Sequence, residues 1–215
     1  MCDEVFLRLV FLGLWLFFLG IRSYYGRKAQ PASPKRTREE RWAIATQYEH
    51  GVFVVLRVVL MVVLILSVVI YAFVPSWLEW AQLPIPACFR WIGVAMAIIT
   101  FPFLIWVGRT LGKHVTGQLE LREDHQLITT GPYSRIRHPL YLVYLVFNVV
   151  TTLIAANWVF FFVIVAGLLL LYPRINAEES MLIEEFGEQY RVYMLRAGML
   201  FPRIRRAAKE SQDSS

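Results

Sequence analysis

Between Gly131 and Tyr141 the chain reads Gly-Pro-Tyr-Ser-Arg-Ile-Arg-His-Pro-Leu-Tyr, which sets two cations, an imidazole and two phenols directly before an apolar run. Pro139 lacks only the N–H that a first helical turn leaves unbonded anyway, so the sequence predicts helix from Leu140 onward with His138 near its start. The free amides and positive dipole end of that turn suit an anionic group. Thirty-six residues after His138, just past the end of another apolar run at Tyr172-Pro173, a second polar island begins with Arg174 and continues to Glu178 and Glu179. A hairpin brings the two islands to the same end. Arg174 and Glu178 are spaced i, i+4, so on a helix they share a face where they are able to pair. At the depth where a membrane helix ends, such groups are costly unless paired or used. Taken singly, His138 reads as a helix cap, and Tyr133 and Tyr141 read as interfacial aromatics. Taken together, an imidazole, a guanidinium, two carboxylates, two phenols and helix-start amides suit a zwitterionic or cationic cofactor beside an anionic lipid headgroup.

The elements that must position these groups are membrane helices. The 215 residues are 57% hydrophobic and 15% aromatic, with a mean hydropathy of +0.50. About 20 apolar residues cross a hydrocarbon core, and three runs near 5–21, 52–74 and 88–107 meet that length. Two shorter runs, 140–155 and 158–172, are separated by Ala156 and Asn157 and read as a tilted or kinked hairpin. The expected fold is all-α and integral to the membrane, with about five transmembrane helices, a C-terminal helical hairpin and a cytoplasmic cofactor pocket. Asp3 and Glu4 ahead of the first run, and no small-residue cleavage site after it, make it a retained anchor rather than a signal peptide.

Charge sets the orientation. Seven Lys/Arg lie between Arg22 and Arg41, five between Arg109 and Arg137, and seven between Arg174 and Lys209. By the positive-inside rule the N-terminus, the 75–87 loop and the turn at Asn157 face outward, and both polar islands open to the cytoplasm. The remaining cations, Arg8, Arg57 and Arg90, are expected to snorkel. A net charge of +6 that follows the membrane topology argues for no nucleic-acid partner. Cys2 and Cys88 are too few for a disulfide framework, and no metal-ligand spacing occurs. The chain divides into N-terminal spans over 1–107 with a basic linker at 22–46, a core over 108–203, and a Ser-rich basic tail over 204–215 expected to be disordered. The linker is expected to lie on the anionic leaflet without burying a core. Residues 118–130 read as an irregular or strand-like excursion. After Pro173 an amphipathic helix is expected to re-form, with Met181, Leu182 and Phe186 on one face and Gly187 as its punctuation.

The ordered set from Gly131 to Tyr141, Asn157-Trp158, Arg174-x-x-x-Glu178-Glu179 and Leu182-Ile183-Glu184-Glu185-Phe186-Gly187-x-x-Tyr190 resembles the isoprenylcysteine carboxyl methyltransferase family over about residues 100–203. The resemblance implies methyl transfer from S-adenosyl-L-methionine in a membrane-embedded fold, in keeping with the lack of a Gly-rich dinucleotide turn. Carried over residue by residue, it implies cofactor contacts from Gln118, from His125, Gln126, Leu127 and Ile128, from Tyr133, from the box His138, Pro139, Leu140 and Tyr141, and from Glu178. It implies that Arg174 contacts the acceptor, with Arg174 and Glu178 as the catalytic pair. Two departures stand out: Val143 occupies a position that is often Gly in eukaryotic members, and the acidic run Glu178-Glu179 is short. Both weaken a prenylated protein as the acceptor, and the compact size resembles prokaryotic members.

An in-line displacement at a sulfonium methyl rests on positioning and a dry site. A carboxylate acceptor is already ionised at neutral pH, so Arg174 would hold one oxygen and leave the other free to attack. An amine acceptor would need a base, for which Glu178 or Glu179 are candidates. The acceptor is expected to be lipophilic, prenylated or phospholipid, and to enter among membrane lipids, and the sequence leaves the oligomeric state open. The rival readings are a phosphatidylethanolamine N-methyltransferase and, more distantly, a sterol-type reductase using a nicotinamide cofactor. Leu140 and the apolar Leu142-Val143-Tyr144 depart from the box of the latter.

Overall fold

The computed structural model describes residues 2–29, 37–112 and 127–203. Its helices in order are α1 (Cys2–Ala29), α2 (Arg38–Tyr48), α3 (Gly51–Phe73), α4 (Ala87–Leu111), α5 (Pro139–Ala155), α6 (Trp158–Phe186) and α7 (Glu188–Arg196), with 3-10 turns at Pro75–Ala81 and Gly131–Ser134. Each apolar run has become one helix. The spans Glu4–Lys28, Gly51–Phe73, Ala87–Leu111 and Trp158–Phe186 are long and apolar enough to cross a membrane. The 17-residue α5 is shorter, roughly 25 Å at ~1.5 Å per residue. The protein is a multi-pass integral membrane protein whose α3 shows the lipid-facing character plainly: of its 23 residues, only Ser67 and Tyr71 are buried.

An aromatic core joins the helices at mid-depth. Phe18 stacks on Phe147 with centroids 4.0 Å apart, Trp15 meets Phe147 edge-on at 5.1 Å, and Phe11 meets Phe160 at 5.4 Å. Such offset and edge-to-face pairs add ~0.5–1.5 kcal/mol each beyond burial. The packing of α4 on α5 depends on Gly93, where a Cβ would stand 3.0 Å from Ile154 Cγ1 and Leu153 Cβ and 3.2 Å from the Val150 carbonyl. The α5–α6 turn is two residues long. Asn157 Oδ1 accepts from Val159 N at 3.0 Å to cap α6, and its Nδ2 donates to the Leu78 carbonyl at 2.9 Å.

Several expectations are corrected. Within the 22–46 linker the described residues are mostly helical: α1 continues to Ala29, and α2 opens with a capping box in which Thr37 and Glu40 exchange hydrogen bonds. Tyr48 at the end of α2 donates to Glu184 at 2.7 Å and packs beside Ala177 and Met181, tying this segment to α6. That bond, more than burial, pushes the Tyr48 phenol above its ordinary pKa. α6 does not stop and re-form at Pro173 but runs unbroken to Phe186. Proline removes one donor, which a membrane helix tolerates when its neighbours re-satisfy the freed group. Gly187, with φ 54°, then ends α6 as expected and redirects the chain into α7.

Arg90 does not snorkel. It is buried, donates from Nε to the Ile154 carbonyl at 2.9 Å and grips Glu4 with both terminal nitrogens. Arg57 pairs with the buried Glu49. Both helix ends supplied an acid within reach, which is cheaper than stretching to the interface. The tail at 204–215 and residues 113–126 lie outside the described residues.

Candidate active site

The Gly131–Ser134 turn delivers the segment 135–138 against the chain that follows α7. Arg137 N donates to the Gly198 carbonyl at 2.8 Å, His138 N to the Met199 carbonyl at 3.0 Å, and Gly198 N to the Arg135 carbonyl at 3.0 Å. Ile136 and Gly198 form a parallel bridge. Tyr193 of α7 adds a fourth tie, its hydroxyl donating to the Tyr133 carbonyl at 2.6 Å. Burial pushes the Tyr193 phenol up to about 12, so it remains a donor at any physiological pH. The box is therefore held from both sides before α5 begins.

Two linked polar groups follow. In the inner one, Arg137 Nε donates to Glu179 Oε1 at 2.7 Å and its Nη1 donates to the carbonyls of Ala197 (2.8 Å) and Met194 (3.2 Å). His138 Nε2 lies 3.1 Å from the same Glu179 oxygen. All three side chains are buried. With Glu179 ionised against Arg137, the imidazole serves as donor at Nε2, which leaves Nδ1 turned toward Glu178 Oε1, 4.0 Å away. The outer group is a chain through a phenol: Arg174 Nε donates to the Tyr141 hydroxyl at 3.2 Å, and that hydroxyl donates to Glu178 Oε2 at 2.6 Å. His138 and Tyr141 rings lie 5.6 Å apart, so the two groups adjoin.

The structure thus brings His138, Tyr141, Arg174 and Glu178 together at one end of the α5–α6 hairpin. Arg174 and Glu178 share a face, but Tyr141 stands between them rather than a direct pair forming. His138 makes no side-chain cap bond to its helix; its ring points instead to Glu179. Pro139 is buried and Leu140 packs on the aromatic core. Tyr133 is buried against that core, and burial first, then the Glu178 charge, raises its phenol pKa. Leu127 packs on Tyr190 and Tyr193, and Ile128 on the main core. Gln118, His125 and Gln126 lie outside the described residues.

Sequence reasoning gave no role to Arg137 and named Glu179 only as an alternative to Glu178 for the base that an amine acceptor would need. A second cation in the box and a second carboxylate in the island were the available signals, and their pairing depends on helix rotation. Tyr190 of α7 is fully buried beside Tyr193, its hydroxyl without a hydrogen-bond partner among the described residues.

Residues 92–184 match the model of the isoprenylcysteine carboxyl methyltransferase (ICMT) family. A protein-S-isoprenylcysteine O-methyltransferase of Dictyostelium discoideum is 31% identical over 137 residues, covering 57% of this chain and 54% of its own length. The nickel-cobalt-cadmium resistance protein NccN of Alcaligenes xylosoxydans xylosoxydans is 25% identical over 147 residues, covering 68% of this chain and 65% of its own. A solved structure of the eukaryotic intramembrane Ras methyltransferase ICMT superposes with a TM-score of 0.52 at 21% identity, over 94% of this chain and 71% of that one, which establishes a shared fold. The chain spans between half and two thirds of the length of these two curated relatives.

Proposed function

We propose, from the match of residues 92–184 to the isoprenylcysteine carboxyl methyltransferase family model and from the geometry of the site, that this protein transfers a methyl group from S-adenosyl-L-methionine to the carboxylate of a lipophilic, isoprenylcysteine-like acceptor. The observation that carries this reading is the Arg174–Tyr141–Glu178 chain. It holds a guanidinium and a carboxylate side by side while leaving each with unused valences. When bound, the cofactor supplies an electrophilic methyl on a cationic sulfur.

The donor set fits such a group. Among the described residues Glu178, with 30% side-chain exposure, hydrogen-bonds only through Oε2 to Tyr141, and its Oε1, 4.0 Å from His138 Nδ1, is left to face a cationic group. Among the described residues, Arg174 uses only Nε, which leaves its terminal nitrogens to hold a carboxylate in bidentate fashion. Tyr141 fixes the spacing of the two. Its hydroxyl donates to Glu178 and accepts from Arg174, so the phenol bridges the two groups. Glu179, held by Arg137, turns His138 into a fixed wall of the pocket. No base is needed, since the acceptor carboxylate is ionised at neutral pH.

The resemblance adds Gln118, His125, Gln126, Leu127, Ile128, Tyr133, Pro139 and Leu140 as cofactor contacts. Supported by the Lys/Arg distribution, the site faces the cytoplasm, and the acceptor enters from the lipid between helices. The test is calorimetric titration of the purified full-length protein with S-adenosyl-L-methionine, followed by transfer of labelled methyl to a prenylated cysteine and to phosphatidylethanolamine. Saturable binding and a base-labile ester on the prenylated cysteine are expected. An absence of binding refutes the cofactor, and methylation of the amine alone replaces the carboxyl reading with phospholipid N-methylation, for which Glu178 Oε1 would be the base.

A further inference from the structure

The opposite end of the bundle from His138 holds a second polar cluster that the proposed methyl transfer does not use. There the first turns of α1 and α4, the last turn of α3 and the α5–α6 turn enclose a cleft of about 180 Å³, whose polar lining is Glu4, Arg8, Tyr71, Gln82, Arg90 and Asn157. A single water needs ~10–15 Å³ of such space, so this cleft has room for a polyatomic group. Its charges are unequal. Arg90 is fully committed to Glu4, the Ile154 carbonyl and, at 3.5 Å, the Tyr71 hydroxyl. Arg8, one turn from Glu4 on α1, feels that carboxylate's charge but is not hydrogen-bonded to it: its Nε is completely buried without a hydrogen bond among the described residues, and its guanidinium carbon stands 6.0 Å from the centroid of the Tyr71 ring. Among the described lining residues, two cations and one anion leave one positive charge.

A buried guanidinium nitrogen without an acceptor is costly, and native proteins rarely leave one so. In a membrane protein an ionisable group at this depth marks a ligand or a partner. The missing chemistry is an anionic acceptor of two parallel N–H bonds, the geometry that arginine offers to phosphate. The cleft also sits at headgroup level. The adjoining Pro75–Ala81 turn presents Trp77 and Trp80 outward, both strongly exposed, as interfacial anchors do. Asn157 and Tyr71 are largely occupied within the protein and Gln82 is uncharged, so Arg8 is the charged group left to recognise a ligand.

We propose that this cleft binds the phosphate group of an anionic phospholipid from the leaflet at that end of the bundle, with Arg8 as the recognising residue and the Arg90–Glu4 pair as its fixed wall. Full-length protein in detergent is titrated with phosphatidylglycerol, phosphatidylcholine and inorganic phosphate, and retained lipid is read by native mass spectrometry together with the melting temperature. Phosphatidylglycerol is expected to be retained and to raise the melting temperature, and phosphatidylcholine to bind more weakly. Arg8→Gln should lower phosphatidylglycerol affinity about tenfold or more, the loss of a charge-assisted bond. Glu4→Gln, which takes the cleft from one positive charge to two, should raise it. Because these two variants move affinity in opposite directions, general damage to the fold is distinguishable from loss of the site. Equal phosphatidylglycerol affinity in Arg8→Gln and the parent overturns the proposal. Arg8-dependent binding of inorganic phosphate without phosphatidylglycerol overturns the lipid as the source.

Discussion

Glu179→Ala tests the inner polar group, because every consequence of that substitution follows from the geometry. One carboxylate oxygen accepts from Arg137 Nε at 2.7 Å and from His138 Nε2 at 3.1 Å, and both partners are buried. Removing one member of a buried ion pair costs ~3–5 kcal/mol, since the other charge is stranded. Arg137 keeps the carbonyls of Met194 and Ala197, so the cost belongs at the lower end, about 3 kcal/mol. For a chain of this size each kcal/mol is worth ~2–4 °C, giving a fall in Tm of roughly 6–12 °C in detergent. The double variant Arg137→Met/Glu179→Ala removes both charges together and should recover part of the loss, with a coupling energy on the order of 2 kcal/mol in a double-mutant cycle with its two single variants. Tm is read by differential scanning fluorimetry on the purified variants. A fall of less than about 2 °C in Glu179→Ala, or singles that simply add in the double, would refute the claim that this pair holds the box.

At the outer group, Arg174→Lys retains charge but loses the planar fork, so turnover on a prenylated cysteine should drop at least tenfold while cofactor affinity stays within about twofold. Parental turnover would remove the orienting role. Glu178→Gln should instead weaken calorimetric cofactor binding by about tenfold, from loss of the negative charge opposite a cationic group. Unchanged affinity would count against that assignment. Gly93→Leu places a side chain where even a Cβ meets Ile154, Leu153 and the Val150 carbonyl, and should cost ~1–3 kcal/mol or more. A Tm equal to the parent's would mean that α4 and α5 do not pack this closely. For orientation, Ser134→Cys and Glu79→Cys, both at exposed positions at opposite ends of the bundle, are made in a Cys2→Ser/Cys88→Ser background. A membrane-impermeant thiol reagent applied outside intact cells should label position 79 and miss position 134, and the reverse pattern overturns the proposed sidedness.

The sequence by itself determined the helices, because a hydrocarbon solvent leaves an apolar run no other way to satisfy its backbone. It also determined that His138 and Tyr141 would meet Arg174 and Glu178, since a two-residue turn at Asn157 fixes the partner of α5 as α6. The fate of the remaining polar groups was decided elsewhere. Glu178 and Glu179 are about 100° apart on their helix, so which of them faces Tyr141 and which faces Arg137 depends on the rotation of α6 against α5, a property of packing rather than of local pattern. The closure of the site by Gly198 and Met199 required Gly187 to turn α7 back by an amount that spacing does not encode. Arg90 likewise found Glu4, 86 residues away, only once α1 and α4 lay side by side. Periodicity is written residue by residue, whereas the pairing of buried charges is settled by the few helix orientations that leave none of them alone.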